Sequence, residues 1–357
     1  MYCIKPEYLN VRLEKNQRDP AKTIQIKIGG RKYSAQRLTS YREEEVTFTS
    51  ADGTLLTGSL FIPAGKSRHP AVVFAHGSNA QTRNGFFGHI RFLAEAYARR
   101  GIAALAFDKR GTGKSKGDWD SVLFDTLAAD VAAGVHYLRT RPDIRPDRIG
   151  LTGSSQAGTI MPIAAALVPD VRFIQLRSGG VMSVREQERR RIILQMKADK
   201  YPQSEIDRAL RMRDMMDDYA VNGKNWEALE AYAKKVENEY WMTQFIGGFP
   251  AKDANDWAWL RQAFGYYLGP YYSRFRGSWH ILFADLDTAT PTKETKIQTE
   301  IALREGNSRD ITIEVVPRAT HNYMLARTGA ERELPGLTRF VPGIYDRIVD
   351  WAVLRMR

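Results

Sequence analysis

The chain has 357 residues, 43% of them hydrophobic and 26% charged, and this composition excludes a disordered polypeptide or a mini-protein. The length allows one large domain, or one domain with a sizeable insertion, and either can bury a substantial core. The formal net charge of +12 favours a nucleic-acid partner only if the basic residues cluster, and here Lys and Arg are spread along the chain.

The densest basic run, Arg185 to Arg191, alternates with Glu186 and Glu188 on a segment with helical periodicity. Alternating charges of this kind indicate the solvated face of a helix rather than a phosphate-binding stripe. We therefore predict no nucleic-acid partner, and we interpret the net charge as a solubility feature or a mild preference for anionic substrates.

The single cysteine, Cys3, excludes an internal disulfide and any metal site built from several cysteines. No apolar stretch has the length of a signal peptide or a membrane span, and the first residues carry interspersed charges such as Lys5, Glu7 and Arg12. We expect a cytoplasmic chain without a membrane span, although a chain that has lost an export signal shows the same pattern.

Residues 1–42 are mostly polar and basic, with one short alternating stretch at 23–28, and we interpret them as an N-terminal arm. The pattern then changes to alternation at 45–49, an Asp-Gly turn that begins at Asp52, and a second apolar stretch at 55–62. Two such stretches joined by a turn predict a β-hairpin. The chain thus enters a sheet through an antiparallel pair of strands.

Short apolar runs follow, each succeeded by a stretch with helical periodicity. Runs that are apolar on both faces and separated by helices are typical of a parallel sheet covered by helices on both sides. We therefore predict an α/β fold with a mostly parallel central sheet, and the chain closes on an amphipathic helix at 343–354. The predicted strands are 71–75, 102–107, 149–152, 171–176, 279–284 and 311–316.

Residues 183–272 interrupt this rhythm, because they show helical periodicity and no strand-like run. We predict a helical cap of about four helices, inserted into an α/β core that comprises residues 43–182 and 273–357. The aromatic and methionine side chains of the cap either roof the active site or pack the core of the cap itself. These residues are Met212, Met215, Met216, Trp226, Tyr240, Trp241, Trp257, Trp259, Tyr266 and Tyr267.

The pattern at residues 149–158 predicts a buried strand, a tight turn and a helix of small residues, and Ser155 lies in the predicted turn. A nucleophilic serine in such a turn needs small residues two positions before it and two positions after it, so that strand and helix approach closely. Gly153 and Ala157 occupy those two positions. Taken alone, the motif is equally compatible with a plain Gly/Ser loop, for instance one that cradles phosphate.

A serine nucleophile needs a histidine base held by a carboxylate, in the chain order Ser, Asp or Glu, His. His321 follows the strand predicted at 311–316, and both Asp285 and Asp287 follow the strand predicted at 279–284. We favour Asp287, because it lies further beyond the strand end and is better placed to reach a loop histidine. Asp285 remains the alternative acid.

Two backbone amides are needed to stabilise the oxyanion of the tetrahedral intermediate. One is predicted from Gln156, which follows the candidate nucleophile, and the other from Ser78, in the loop after the strand at 71–75. We expect His76, at the start of that loop, to shape the loop rather than to act as base. The other histidines weighed lie on a predicted helix, inside a strand and before a strand, and they are His136, His280 and His69.

Together these motifs resemble the α/β-hydrolase superfamily, and they are most similar to bacterial carboxylesterases and the related serine peptidase branch. The resemblance covers the chain from about residue 43 onward and is weak over 183–272. Two residues depart from the pattern, Ala157 for the commoner glycine and Asn79 for the second glycine of the first loop. We expect them to change the shape of the acyl site without removing a catalytic atom. The matching motifs are His76-Gly77-Ser78, the segment from Asp108 to Ser115, the turn at Ser155, Asp287 and His321.

The resemblance implies that Asp108, Arg110, Gly111 and Gly113 organise a loop beside the active site. We do not expect a phosphate-binding loop there, because such a loop needs a Gly-Lys-Ser/Thr ending that opens a helix, and the ending of this segment does not. It also implies a serine hydrolase that cleaves small-molecule carboxylic esters through an acyl-enzyme, without a metal ion or an organic cofactor. The sequence assigns neither substrate-binding residues nor an oligomeric state.

Peptidase, amidase and thioesterase activities use the same acyl-transfer machinery, so they remain the enzymatic alternatives. A non-catalytic binding protein of the same fold is the alternative from a different class. Such proteins tend to lose a residue of the triad, whereas Ser155, Asp287 and His321 are all present here.

Overall fold

The computed structural model describes residues 40–357 and, before them, only the backbone of 23–28 and 31–36. These two segments form strands β1 (Thr23–Ile28) and β2 (Arg31–Gln36), which pair antiparallel. Most of the predicted arm at 1–42, including Cys3, therefore lies outside the described residues.

Eight further strands of the described chain form one central sheet. They are β3 (Tyr41–Thr49), β4 (Leu55–Pro63), β5 (His69–Ala75), β6 (Ala103–Phe107), β7 (Ile144–Ser154), β8 (Phe173–Arg177), β9 (Ser278–Ala284) and β10 (Ile311–Val316). Their order in space is β10-β9-β8-β7-β5-β6-β4-β3, and only the β3–β4 and β4–β6 pairs among them are antiparallel. The predicted α/β class with a mostly parallel sheet is confirmed.

Helices cover both faces of the sheet, which is why a strand such as β6 is buried at every position. Helices α1 (His89–Arg99) and α10 (Ile344–Arg355) contribute to the apolar core on one face. Helices α2 (Phe124–Thr140) and α3 (Ala157–Leu167) contribute to the core on the other face.

No helix within the described residues combines the length and the apolar character that crossing a membrane requires.

Between β8 and β9 the described chain forms helices and no strand. The α-helices of this region number five rather than the predicted four, because a six-residue helix is too short to show periodicity in the sequence. The division of the chain into core and cap stays a prediction. The helices are α4 (Val184–Ala198), α5 (Gln203–Asn222), α6 (Trp226–Val236), α7 (Asn255–Ala263) and α8 (Gly269–Arg274), with a π-helical turn at Met242–Ile246 before α7.

The order of strands around β5 creates the position for a site. Strand β6, which follows β5 in the chain, lies on one side of β5, and β7 lies on the other side. The connection from β5 to β6 and the connection from β6 to β7 therefore run in opposite directions across the sheet. A crevice opens outside the carboxyl ends of the strands at such a reversal. The loop that begins at His76 and the turn at Ser155 both leave the sheet at this edge.

Candidate active site

Ser155 lies in the turn between β7 and α3 with a backbone φ of 58°. This left-handed conformation is strained for a residue other than glycine and recurs at functional turns. A Cβ atom added to Gly153 would come within 2.4 Å of the Ala157 Cβ and 2.7 Å of the Ala75 carbonyl oxygen. The small residues around Ser155 are therefore a steric requirement of this turn.

Hydrogen bonds hold the turn against the neighbouring strand. The Ser155 amide donates to the carbonyl oxygen of Arg177 over 2.8 Å, and the Gly158 amide donates to the carbonyl oxygen of Ser155 over 2.8 Å. The turn leads directly into α3, whose N-terminal end carries partial positive charge. A negative charge that develops next to Ser155 is favoured by this position.

His321 and Asp287 come from the loops after β10 and β9, and their side chains meet. The His321 Nδ1 lies 2.8 Å from Asp287 Oδ2 and 3.0 Å from Oδ1. The buried Asp287 carboxylate also accepts hydrogen bonds from the amides of Ala289 and Thr290, at 2.9 Å and 2.7 Å. With Nδ1 donating to the carboxylate, Nε2 is the ring nitrogen left to accept a proton.

Two opposing effects act on the pKa of His321. Burial lowers it, but the charge and the hydrogen bond of Asp287 raise it by more, so the pKa of His321 lies above its ordinary value of 6.5. A carboxylate that favours the protonated imidazole also favours proton transfer to it. The contact with Asp287 therefore favours the protonated form of His321.

Asp285, the alternative acid, has a different partner. Its Oδ1 accepts a hydrogen bond from the Ala319 amide over 3.1 Å, and the residue is exposed. This contact anchors the loop that carries His321 without touching the imidazole. The structure therefore brings Asp287, rather than Asp285, to His321.

The loop after β5 passes close to the turn at Ser155. A Cβ atom added to Gly77 would lie 3.3 Å from the Ser154 carbonyl oxygen and 3.5 Å from the Ser155 Cβ. The Ser78 carbonyl oxygen accepts a hydrogen bond from Gln81 Nε2 over 2.9 Å. Among the described residues, neither the Ser78 amide nor the Gln156 amide has a hydrogen-bond acceptor, so both are available for an oxyanion.

His76 is buried at the start of this loop and contacts the backbone. Its Nε2 lies 2.7 Å from the carbonyl oxygen of Phe107, the last residue of β6. Burial, helped by the charge of Lys109, lowers the pKa of His76 to about 3. The ring is therefore neutral near pH 7 and is placed to shape the loop.

Lys109 was not identified as a candidate site residue from the sequence. It is buried, and it contacts both segments expected to supply the oxyanion amides. Its Nζ donates to the carbonyl oxygens of Gly77 (3.0 Å) and Asn79 (3.2 Å) and to Gln156 Oε1 (3.3 Å). Burial lowers the pKa of Lys109 to about 8. Lys109 thus ties the loop after β5 to the residue that follows Ser155.

The segment from Asp108 onward makes the contacts of a structural loop. Asp108 accepts hydrogen bonds from the backbone and guanidinium of Arg83 and from the Lys114 amide. A Cβ atom added to Gly113, where φ is 53°, would lie 2.4 Å from the Asp108 carboxyl. Glycine is therefore required there, because the chain turns tightly around this carboxylate.

Arg110 anchors the same loop to the body of the protein. Its guanidinium donates two hydrogen bonds to Asp130 in α2, at 2.8 Å and 2.6 Å, and one to Asp52 at 2.9 Å. Buried pairs with this bidentate geometry specify a local arrangement strongly. These contacts therefore fix the loop in which Lys109 lies between Asp108 and Arg110.

A cavity of about 490 Å³ brings the candidate groups together. Ser155 and His321 line it from the sheet edge, and Gly77 and Ser78 line it from the loop after β5. The region after β8 contributes both polar and apolar residues to this cavity. The polar ones are Gln187, Glu188, Arg191 and Gln244, and the others are Phe245, Ile246 and Gly247.

None of the ten cap aromatic and methionine residues expected near the serine lines this cavity. Trp226, Trp241 and Trp257 are buried in a separate apolar core within the helical region, and Trp259 packs on Phe124 of α2. The interpretation that most of them pack the core of the cap agrees with these contacts. In place of the expected aromatic and methionine side chains, a mixture of polar residues with Phe245 and Ile246 lines the cavity.

The basic run at 185–191 divides between solvent and cavity. Arg185 and Arg189 are exposed and pair with Asp218 and Asp214, as expected for a solvated face. For Arg191 that interpretation is wrong, because its guanidinium turns toward the cavity.

Arg191 forms a partly buried cluster at the cavity wall. It donates to Glu188 Oε2 over 2.8 Å, to Gln195 Oε1 over 2.7 Å and to the Phe245 carbonyl oxygen over 2.8 Å. Burial acts to raise the pKa of Glu188, but Arg191 outweighs it and the pKa is lowered. The ion pair is therefore charged and fixes α4 against the π-helical turn.

The remaining histidines also have definite places. His136 lies on α2 and His280 in β9, as predicted, whereas His69 is the first residue of β5 rather than a residue before it. His89, at the start of α1, lines the cavity and was not singled out from the sequence. Within the described residues, no three His, Cys, Asp or Glu side chains are grouped to hold a metal ion.

Comparison with protein families gives one match that covers more than half of the chain. The model of the X-Pro dipeptidyl-peptidase (S15 family) matches residues 52–265. The matched segment contains Ser78, Ser155 and Gln156, and it ends before Asp287 and His321.

Curated relatives match a shorter segment. Thiohydrolase aneE of Aspergillus aculeatus is 37% identical over 131 residues, which are 36% of this chain and 39% of that protein. Thiohydrolase apmlB of Arthrinium phaeospermum is 30% identical over 132 residues, which are 37% of this chain and 41% of that protein. The chain thus spans about two fifths of the length of these relatives.

Solved structures share the fold over most of the chain. The esterase Pf2001 of Pyrococcus furiosus has a TM-score of 0.55 and 18% identity, covering 88% of this chain and 92% of that one. The α/β hydrolase GrgF of Penicillium sp. has a TM-score of 0.54 and 17% identity, covering 88% and 99%. At these identities the likeness establishes the fold alone.

Proposed function

The chain belongs to the X-Pro dipeptidyl-peptidase (S15) family of α/β-hydrolases, and we propose that it cleaves carboxylic esters through an acyl-enzyme. Ser155 is the proposed nucleophile, His321 the base and Asp287 the acid that orients it. One observation carries the proposal: His321, which contacts the buried Asp287, lines the same cavity as a serine held at positive φ in a strand-to-helix turn.

In the first half of the reaction, His321 Nε2 accepts the proton of the Ser155 hydroxyl as its oxygen attacks the ester carbonyl carbon. The Asp287 carboxylate stabilises the imidazolium that forms. The imidazolium then gives its proton to the departing alkoxide, which leaves as an alcohol, and the acyl group stays on Ser155.

The Ser78 and Gln156 amides are the proposed oxyanion donors. Each such donor is typically worth about 3 kcal/mol in the transition state. Lys109 supports both, because it holds the carbonyl oxygens on either side of Ser78 and the Gln156 side chain. Its positive charge adds to the electrostatic stabilisation of the oxyanion.

In the second half, His321 accepts a proton from water, which attacks the acyl carbonyl carbon. The tetrahedral intermediate collapses, the carboxylic acid leaves, and the Ser155 oxygen recovers its proton from His321. These steps use residues of this chain and water alone.

The cavity supports small to medium acyl groups with polar substituents. Its volume of about 490 Å³ lies within the range of small-molecule sites. Gln187 and Gln244 line the same cavity as Ser155 and His321 and offer hydrogen-bond donors and acceptors there. Esters are favoured because an alcohol leaves more readily than an amine.

Thioester hydrolysis is the second candidate, and the similarity to two fungal thiohydrolases favours it. The same acyl-enzyme forms from a thioester, with a thiol as the leaving group. Amide and peptide cleavage, which the family name suggests, is the third.

A substrate panel separates these candidates. Initial rates are measured with p-nitrophenyl esters of increasing acyl length, a matched acyl thioester and an X-Pro p-nitroanilide. We expect the largest kcat/KM with esters, and loss of all turnover in Ser155→Ala but not in the exposed-serine control Ser67→Ala. A higher kcat/KM for the thioester or the anilide would replace the ester assignment, and turnover that survives in Ser155→Ala would overturn the mechanism.

A further inference from the structure

Arg177, the last residue of β8, lies directly beside the turn that carries Ser155. Its carbonyl oxygen accepts the Ser155 amide hydrogen bond, and its side chain is 4% exposed. Its Nη1 donates to Thr152 Oγ1 over 2.8 Å. A guanidinium has five N–H donors, and this is the side-chain hydrogen bond that the described residues give Arg177.

The surroundings of Arg177 lack a compensating carboxylate within the described part of the chain. The titratable neighbours that favour its charge are three tyrosines, which are neutral near pH 7. The other buried arginines behave differently: Arg110 pairs with Asp130, and Arg213 pairs with Asp217. A buried cation without a counter-charge costs several kcal/mol, so the position of Arg177 requires an explanation.

A second polar group faces the same place. Arg177 and Tyr345 of α10 both line a small cavity that adjoins the larger one. Apolar residues such as Phe340 and Ile348 line it too, and it shares four residues with the larger cavity, namely His89, Ser154, His321 and Asn322. The Tyr345 hydroxyl is buried, and none of the described residues is its hydrogen-bond partner. Two donor groups from different elements therefore converge on one cavity.

The size of this cavity limits what it can hold. Its volume is about 20 Å³, and a single water-sized particle needs roughly 10 to 15 Å³ on the same scale. A carboxylate or a phosphate, with three or more heavy atoms, is too large. A water molecule fits but brings no charge to offset the guanidinium.

We propose that Arg177 and the Tyr345 hydroxyl bind a small monovalent anion of the halide type in this cavity. The anion neutralises the buried guanidinium and accepts the hydroxyl proton. It thereby links the end of β8, and through it the Ser155 turn, to helix α10. This inference does not depend on the proposed ester hydrolysis, because it concerns binding and stability.

Thermal unfolding of the full chain tests the proposal. Melting temperature is measured as chloride replaces gluconate at constant ionic strength, and again with bromide. We expect a saturable rise of about 2 °C for the wild type, because a ligand that binds only the folded state stabilises it by mass action. A melting temperature that is the same in chloride and in gluconate would overturn the proposal.

Substitutions locate the effect. Arg177→Met should abolish the halide response, and the exposed-arginine control Arg309→Met should retain it. If Arg177→Met does not fold, Tyr345→Phe decides: it should raise the halide concentration at half-effect about five-fold, as expected for loss of one hydrogen bond. The exposed Tyr267→Phe should leave that concentration unchanged. If the melting temperatures of Arg177→Met and Tyr345→Phe respond to halide as the wild type does, the assignment is contradicted.

Crystals grown in bromide provide the direct measurement. We expect an anomalous peak in contact with the Arg177 guanidinium and the Tyr345 hydroxyl. Absence of that peak at saturating bromide would overturn the proposal. A peak without a halide-dependent melting temperature would indicate an adventitious ion only, and would overturn it as well.

Discussion

The carboxyl edge of the sheet and the helical region at 183–272 line the same cavity by different means. At the sheet edge, Ser155 and His321 follow strands whose pairing fixes where each loop begins. In the helical region, Glu188 and Arg191 reach the cavity from helix α4, packed on an apolar core of its own. Backbone pairing therefore places the proposed chemistry, and side-chain packing places the proposed specificity.

If the two regions divide these tasks, substitutions at the sheet edge should lower kcat and substitutions in the helical region should change KM. The strongest form of this expectation concerns the carboxylate that contacts His321. Asp287→Asn should lower kcat by about 10⁴-fold, because an amide at this position favours the wrong imidazole tautomer. Initial rates with the best ester measure this.

Asp285→Asn is the matched control for that prediction. It removes a carboxylate two residues away that contacts the Ala319 amide and not the imidazole. Its kcat should fall by less than about 10-fold, the scale of one supporting hydrogen bond. A larger loss in Asp285→Asn than in Asp287→Asn would reverse the choice of acid.

The next largest effect is expected at Lys109. Lys109→Met should lower kcat by about 10²-fold with KM nearly unchanged, because the two oxyanion segments lose their shared anchor. The exposed Lys116→Met should behave as wild type. Steady-state kinetics with a short-chain ester decide it. If Lys109→Met lowers the melting temperature, and its kcat returns to the wild-type value when the assay temperature is lowered, then Lys109 has a purely structural role.

The helical region should give a smaller and different response. Arg191→Gln should change KM by up to about 10-fold while kcat stays within about 3-fold, since the guanidinium lies at the cavity wall. The exposed Arg189→Gln serves as the control on the same helix. A kcat loss as large as that of Lys109→Met would remove the distinction between the two regions.

The pH profile gives the smallest expected change. In the proposed mechanism His321 accepts a proton only when neutral. Its pKa lies above 6.5, so activity should fall as pH decreases through a midpoint above 6.5. In Asp287→Asn that midpoint should move downward, because the charge that raises the pKa of His321 is removed. The residual kcat/KM of the variant, followed between about pH 5 and pH 9, shows whether it does.

The sheet edge was largely predictable from the sequence. The strands are apolar on both faces, and the turn at Ser155 requires Gly153 and Ala157 by local sterics. The preference for Asp287 over Asp285 also has a local basis, because Asp287 accepts the amides of Ala289 and Thr290 in its own turn. The roles of these residues in catalysis remain our proposal.

The rest was not predictable, because it depends on contacts between distant segments. Lys109 donates hydrogen bonds to backbone carbonyl oxygens of another loop. Every residue has such a group, so the sequence does not indicate which of them a lysine contacts. Arg191 belongs to a run whose alternating charges indicate solvent, and only the packing of α4 turns it inward. Arg177 ends a strand that is buried at every position, and the neighbouring sequence gives no signal of what surrounds its side chain.

The identity of the nucleophile is tested most directly by covalent labelling. The full chain is treated with a fluorophosphonate ester, and peptide mass spectrometry locates the adduct while ester turnover is followed in parallel. We predict one adduct per chain, on Ser155, which forms at the rate at which activity is lost and is absent from Ser155→Ala. An adduct on another residue that accompanies the loss of activity, or full activity in a chain labelled at Ser155, would contradict the assignment.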